Sequence, residues 1–157
     1  MLMKKLGLPH NAWVVVGDGR KALVLRNEGD EKFPNLKTVD VLNAGDNPAT
    51  SQLGSDRPGR TSEHGGHHGA VEQTDWHEIA ENDFARRIAA ALETRHASGD
   101  IDALVVVAPP RTLAELRHNF SHALRAKIVA EVNKDLTKHP VHAIERLLTS
   151  GGGKQRQ

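Results

Sequence analysis

The sequence predicts a single α/β domain: a mixed β-sheet with helices packed on it. Three observations lead there. Its elements read in the order β-β-β, a long polar interval, then α-β-α-α-β-α, and that order implies a mixed sheet under helices. The stretch Ile101 to Val107, with Asp102 at its start, is apolar on both faces, as in a strand covered on both sides. At 157 residues the chain has a common single-domain size and can bury most of its unfolded surface.

Taken in order, "NAWVVVGDGRKALVLRNEG" holds two apolar runs, Ala12 to Val16 and Ala22 to Leu25. They flank Gly17-Asp18-Gly19-Arg20, whose Gly and Asp suit the positive backbone angles of a tight turn, so the segment reads as a β-hairpin. In "LKTVDVL", Leu36, Val39 and Val41 are mixed with polar residues as on a half-buried third strand. From Asn43 to Thr74 periodicity is lost among Gly, Pro, Ser, Asn and Asp. A flexible loop of that length inside a compact domain is uncommon and is usually functional or disordered.

Periodicity returns at Asp75, a helix cap with Glu78 as its box partner. Trp76, Ala80, Phe84, Ile88 and Leu92 recur every fourth residue, Ile79 and Ala91 widen the stripe, and Gly99 ends it. After the central strand, Pro110 and the box Thr112…Glu115 open the helix "RTLAELRHN". A short helix over Ser121 to Ala126 then precedes a strand over Ile128 to Val132, whose β-branched residues fit a helical period poorly. "PVHAIERLL" is a last helix with Ile144, Leu147 and Leu148 inward. The domain spans 1–148, and 149–157 is a disordered tail.

Composition narrows the function classes. Hydrophobic residues make up 38 % and charged residues 26 %, which excludes both a membrane-embedded and a disordered chain. The lysines near the start imitate a signal peptide, but Pro9, His10 and Asn11 break its apolar region. A cytoplasmic protein that does not contact membrane is expected. There is no cysteine, hence neither disulfides nor thiolate metal sites. With 21 basic and 20 acidic residues and 3 % aromatics, any RNA contact must be local and has little base stacking to draw on.

The candidate contact residues concentrate in "SDRPGRTSEHGGHHGAV". Arg57 and Arg60 make this stretch mildly basic, Gly65 and Gly66 allow close backbone approach, and His64, His67 and His68 carry partial charge near neutral pH. With Glu63 or Glu72, those three histidines also form a weaker alternative set of metal donors. Adjacent ligands in a Gly-rich loop lack the rigidity of a structural site, and "WHEIAE" has Glu81 where a metalloprotease helix needs its second histidine. Arg111 stands at the carboxyl end of the central strand, where open α/β sheets bind ligands and a helix start offers free amides. Its plainer role is an ion pair that fixes the corner. Arg117 and His118 read as solvated. Asp18 and Asp102 could be paired as nuclease carboxylates, but each has a simpler place at a turn or strand start. With no cysteine and no Gly-x-Ser-x-Gly elbow, the residues point to a binding protein with no catalytic residue and no cofactor.

Beyond the residues themselves, "DALVVVAPPRTLAELRHNFS" and "KIVAEVNKDLTKHPVHAIERLL" resemble bacterial host attachment proteins. The hairpin "WVVVGDGRKALVL" and the "SDRPGRT" stretch are similar to that family too, so the resemblance covers nearly all of residues 10–148. Ala-Pro-Pro-Arg and Lys-Asp-Leu-Thr are its most specific parts. The family in turn looks related to the middle domain of archaeal and eukaryotic peptide release factors. That relation implies a three-layer ribonuclease-H-like domain whose Gly-Gly-Gln loop serves peptidyl-tRNA hydrolysis. In this chain Gly65 and Gly66 match the glycines and His67 replaces the glutamine. The resemblance therefore implies a ribosome- or RNA-binding factor without release activity. An interaction protein in host attachment or surface physiology, or a metal-dependent hydrolase using the histidines, are the alternatives.

Overall fold

The computed structural model describes residues 7–46 and 70–149, with the side chains of all but Asp46 and 70–78. Its five strands are β1 (Trp13–Gly17), β2 (Lys21–Asn27), β3 (Leu36–Asn43), β4 (Leu104–Ala108) and β5 (Ile128–Asn133). They form one sheet in the order β3-β2-β1-β4-β5. The first three strands are an antiparallel meander, while β4 and β5 add parallel to β1. Four α-helices follow: α1 (Ala70–Ala97), α2 (Pro110–Asn119), α3 (His122–Arg125) and α4 (Val141–Thr149). The class is α/β with a mixed sheet, as its element order implies.

Both β1 and β4 are buried along their whole length, and successive side chains serve opposite faces. Trp13, Val15, Leu104 and Val106 join Phe84, Ile88 and Leu92 of α1, Leu113 and Leu116 of α2, and Leu124 of α3. Val14, Val16, Val105 and Val107 join Ile144 and Leu148 of α4 on the other side. Each such aliphatic side chain contributes about 1.5–3 kcal/mol on leaving water, which explains why these strands carry no polar residue.

Local structure departs from expectation in several places. The turn after β1 uses no positive φ at Gly17 or Gly19. Instead the Asp18 carboxylate Oδ1 accepts from the amides of Arg20 and Lys21, both at 2.8 Å, so a side chain replaces the turn's backbone geometry. Helix α1 begins at Ala70 rather than Asp75, because Ala70-Val71-Glu72-Gln73 continues the helix past an internal box motif that is only a weak prior. The loop expected over 43–74 therefore contracts at both ends. Ile79 and Ala80 are exposed, and Ala85 and Ala89 widen the buried stripe in their place.

Strand β4 starts at Leu104 because Trp13, the first residue of β1, pairs there; Ile101 is buried but lies outside the ladder. Helix α2 is capped by Pro109 with no side-chain hydrogen bond, so Thr112 is an interior residue and makes no box. Gly99 does close α1, at φ 84°. Thr149 belongs to α4, and the rest of the expected tail lies outside the described residues.

Two buried polar groups tie the base of the meander. Asn27 is fully buried. Its Nδ2 donates to the carbonyls of Leu8 (2.8 Å) and Pro9 (3.2 Å), and its Oδ1 accepts from the amides of Gly29 (3.0 Å) and Asn35 (2.8 Å). Trp13 donates from Nε1 to the Asp100 carbonyl at 3.0 Å. The guanidiniums of Arg26 and Arg95 lie 5.8 and 5.2 Å from its ring centroid, within cation–π range.

Candidate functional site at the carboxyl ends of the parallel strands

Strands β1, β4 and β5 run parallel and finish at one edge, with Val16, Val107 and Val132 in register. Three connections leave from that edge: the Asp18–Arg20 turn, Pro109 into α2, and residues 134–140 into α4. The two stretches most specific to the host attachment resemblance, Ala108-Pro109-Pro110-Arg111 and Lys134-Asp135-Leu136-Thr137, meet at this edge of the sheet.

Thr137, only 4 % exposed, binds the edge together. Its hydroxyl lies 2.6 Å from Asp135 Oδ1 and 3.0 Å from Asp18 Oδ2, and its amide donates to Asp135 Oδ1 at 3.0 Å. A hydroxyl has one hydrogen to donate, and the shorter contact assigns it to Asp135. That hydroxyl, chiefly, holds the Asp135 carboxyl below the usual range; the Thr137 amide, Lys138 and His139 add to the effect and partial burial opposes it. The hairpin turn and the β5–α4 connection, 119 residues apart, thus meet at this hydroxyl, with Asp18 Oδ2 at hydrogen-bonding distance from it.

The linkage has a definite sign. A carboxyl whose folded pKa is depressed stabilises the fold above its unfolded pKa of about 3.9, and the gain is lost as pH falls through the lower folded value. Thr137→Val is expected to lower stability by about 1–2 kcal/mol at neutral pH. The difference from wild type should shrink below about pH 4, as Asp135 gains its proton. Urea melts at several pH values check this, and a pH-independent difference would remove the carboxylate from the explanation.

Arg111 occupies the first turn of α2, its side chain 57 % exposed and Nε 3.9 Å from Glu115 Oε2. That ion pair lies within α2 itself, one turn along, at the place where the helix start faces the edge. Glu81 of α1 lies against the hairpin turn, since a Cβ on Gly19 would come within 2.9 Å of its carboxylate. The Ala44 amide donates to the Arg20 carbonyl at 2.8 Å, and Arg87 reaches the Asn43 carbonyl at 3.2 Å. The chain thus leaves β3 beside this turn, and α1 passes the same turn after its opening residues.

The remaining expected contact residues, Arg57, Arg60, His64, Gly65, Gly66, His67 and His68, lie outside the described residues. Asp18 and Asp102 are not a pair: the parallel register puts them at opposite ends of the sheet, roughly 20 Å apart at the strand rise. Arg117 is not simply solvated, because it donates to Glu131 of β5 at 2.7 and 3.2 Å. Among the described residues no cluster of three His, Asp or Glu side chains could hold a metal ion, and no helix is long and apolar enough to cross a membrane. The unit formed by Thr137, Asp135 and Asp18 was not read from sequence; its signal was the coincidence of the Asp-Gly turn with the specific Lys-Asp-Leu-Thr stretch.

This fold and edge define an open-sheet α/β domain whose connections gather outside the carboxyl ends of parallel strands, the place where such sheets bind ligands. The chain belongs to the family described as "Protein required for attachment to host cells", whose model matches residues 13–148. No curated protein matches it.

Proposed function

We propose that this protein is a non-catalytic binding factor of the translation apparatus, contacting ribosomal RNA. Its sheet and helices are read as the three-layer ribonuclease-H-like arrangement of release-factor middle domains. One observation carries the proposal: the chain bearing Arg57, Arg60, His64, Gly65, Gly66, His67 and His68 departs from β3 beside the edge where Arg111 and the start of α2 stand. Cationic, glycine-rich sequence suits a phosphate backbone, and so does a helix start. The strand order, with an antiparallel meander continued by two parallel strands, supports the kinship. His67 in place of glutamine speaks against release chemistry.

Sedimentation of cell lysate through sucrose gradients tests it. The protein is expected with ribosomes at low salt and less so at moderate salt, because phosphate contacts release counterions. Changing His64, His67 and His68 together to alanine is expected to abolish co-sedimentation. If wild type stays at the top of the gradient in growing and starved cells, the translation reading fails. The family description favours a second reading, an interaction protein in host attachment, for which the protein would be found outside the cytoplasm.

A further inference from the structure

Strand β5 is an outer strand, with β4 on one side and no strand on the other among the described residues. Its pairing with β4 slips between Leu104 and Val105, which leaves Val129 as the extra residue of a bulge. Bulges at sheet edges re-aim side chains, and Val129 is 61 % exposed. Arg117, Arg125, Ile128, Ala130 and Glu131 line a shallow, open groove with it. Nothing in the core requires a valine held in water there.

The strand and its flanks lean basic, with Glu93 engaged by Ser121 and Asp135 by Thr137. Residues 117–134 carry Arg117, Arg125, Lys127 and Lys134 against the single carboxylate Glu131, and Arg117 already engages that carboxylate. Arg125, Lys127 and Lys134 have no ion-pair partner among the described residues. A second copy of this strand would bring like charges together and meet the bulge, two devices that stop edges pairing with themselves. RNA would satisfy the cations, but the groove has no aromatic side chain for a base, and phosphates cannot match a strand edge that both donates and accepts. A peptide backbone can.

We propose that the β5 edge takes an extended acidic segment of a partner protein. That segment would add a sixth strand beside Ala130–Asn133, with an apolar side chain over Val129 and carboxylates toward Arg125, Lys127 and Lys134. The proposal stands apart from the ribosome reading, since it uses neither the histidines nor Arg57, Arg60 and Arg111.

The test uses the full chain and two labelled peptides of about eight residues, long enough for one strand. One alternates valine with glutamate, the other valine with lysine. The acidic peptide is expected to raise its fluorescence anisotropy on binding, more weakly as salt increases, and to slow amide hydrogen exchange over residues 128–133. Val129→Asp and Arg125→Glu, both surface changes whose folding circular dichroism verifies, should each weaken binding roughly tenfold. Absence of binding, equal binding of the lysine peptide, indifference to Val129→Asp, or exchange protection elsewhere would each overturn the proposal. So would an oligouridine that binds this edge in preference to the acidic peptide. None of these outcomes bears on co-sedimentation with ribosomes.

Discussion

Replacing Asn27 with leucine is expected to cost about 3–5 kcal/mol. The size follows from what one amide group serves. Asn27 takes the Leu8 and Pro9 carbonyls with its nitrogen and the Gly29 and Asn35 amides with its oxygen. Leucine fills similar space but leaves these backbone groups without their partner at a fully buried position. Each stranded group costs about 1–3 kcal/mol where water cannot reach it, and only partial relaxation keeps the total near the lower end of their sum. Asn27→Asp is the sharper variant: it keeps the acceptor for Gly29 and Asn35 but sets oxygen against the Leu8 and Pro9 carbonyls. Urea denaturation reads both, and a loss within about 0.5 kcal/mol, typical of surface changes, would show that water replaces the amide.

Trp13→Ala is the second large effect, expected at about 3–5 kcal/mol. The ring is 1 % exposed and central to the helix-covered face, between strands on both sides. Its removal opens a cavity, withdraws the donor from the Asp100 carbonyl, and strips Arg26 and Arg95 of their shared ring. Trp13→Phe separates these terms. It keeps most of the apolar contact and should cost only about 1–2 kcal/mol, the hydrogen bond and weakened ring interaction. If phenylalanine proved as damaging as alanine, packing would not be the main contribution of this residue.

The elements were legible in sequence where burial imposes a period. Trp13 to Gly17 and Leu104 to Ala108 are buried on both faces and read as apolar runs, and Phe84, Ile88 and Leu92 show a helical repeat. Where backbone groups or distant partners decide, the sequence was silent. The start of α1 at Ala70 has no periodic mark, and Val129 becomes a bulge only through its register with β4. The Asp18–Thr137 contact spans 119 residues, and nothing local in either stretch announces the other. The place of Arg111 at a helix start was legible because Pro109-Pro110 stops the strand there; the pairing of Arg117 was not, because its partner Glu131 stands on a separate strand. The class of the fold thus followed from periodicity, while the unit at its edge needed the topology.

The strand order has a consequence during synthesis. The meander β1–β2–β3 is complete once residue 43 has emerged, but β1 meets its other neighbour only when Leu104 arrives opposite Trp13, 61 residues after that. At about 5–20 residues per second, Trp-Val-Val-Val then waits roughly 3–12 s as an open apolar strand edge, and α1, which packs on one of its faces, is complete only at residue 97. Slowing translation between residues 43 and 104 is expected to lengthen the exposure of this edge to aggregation.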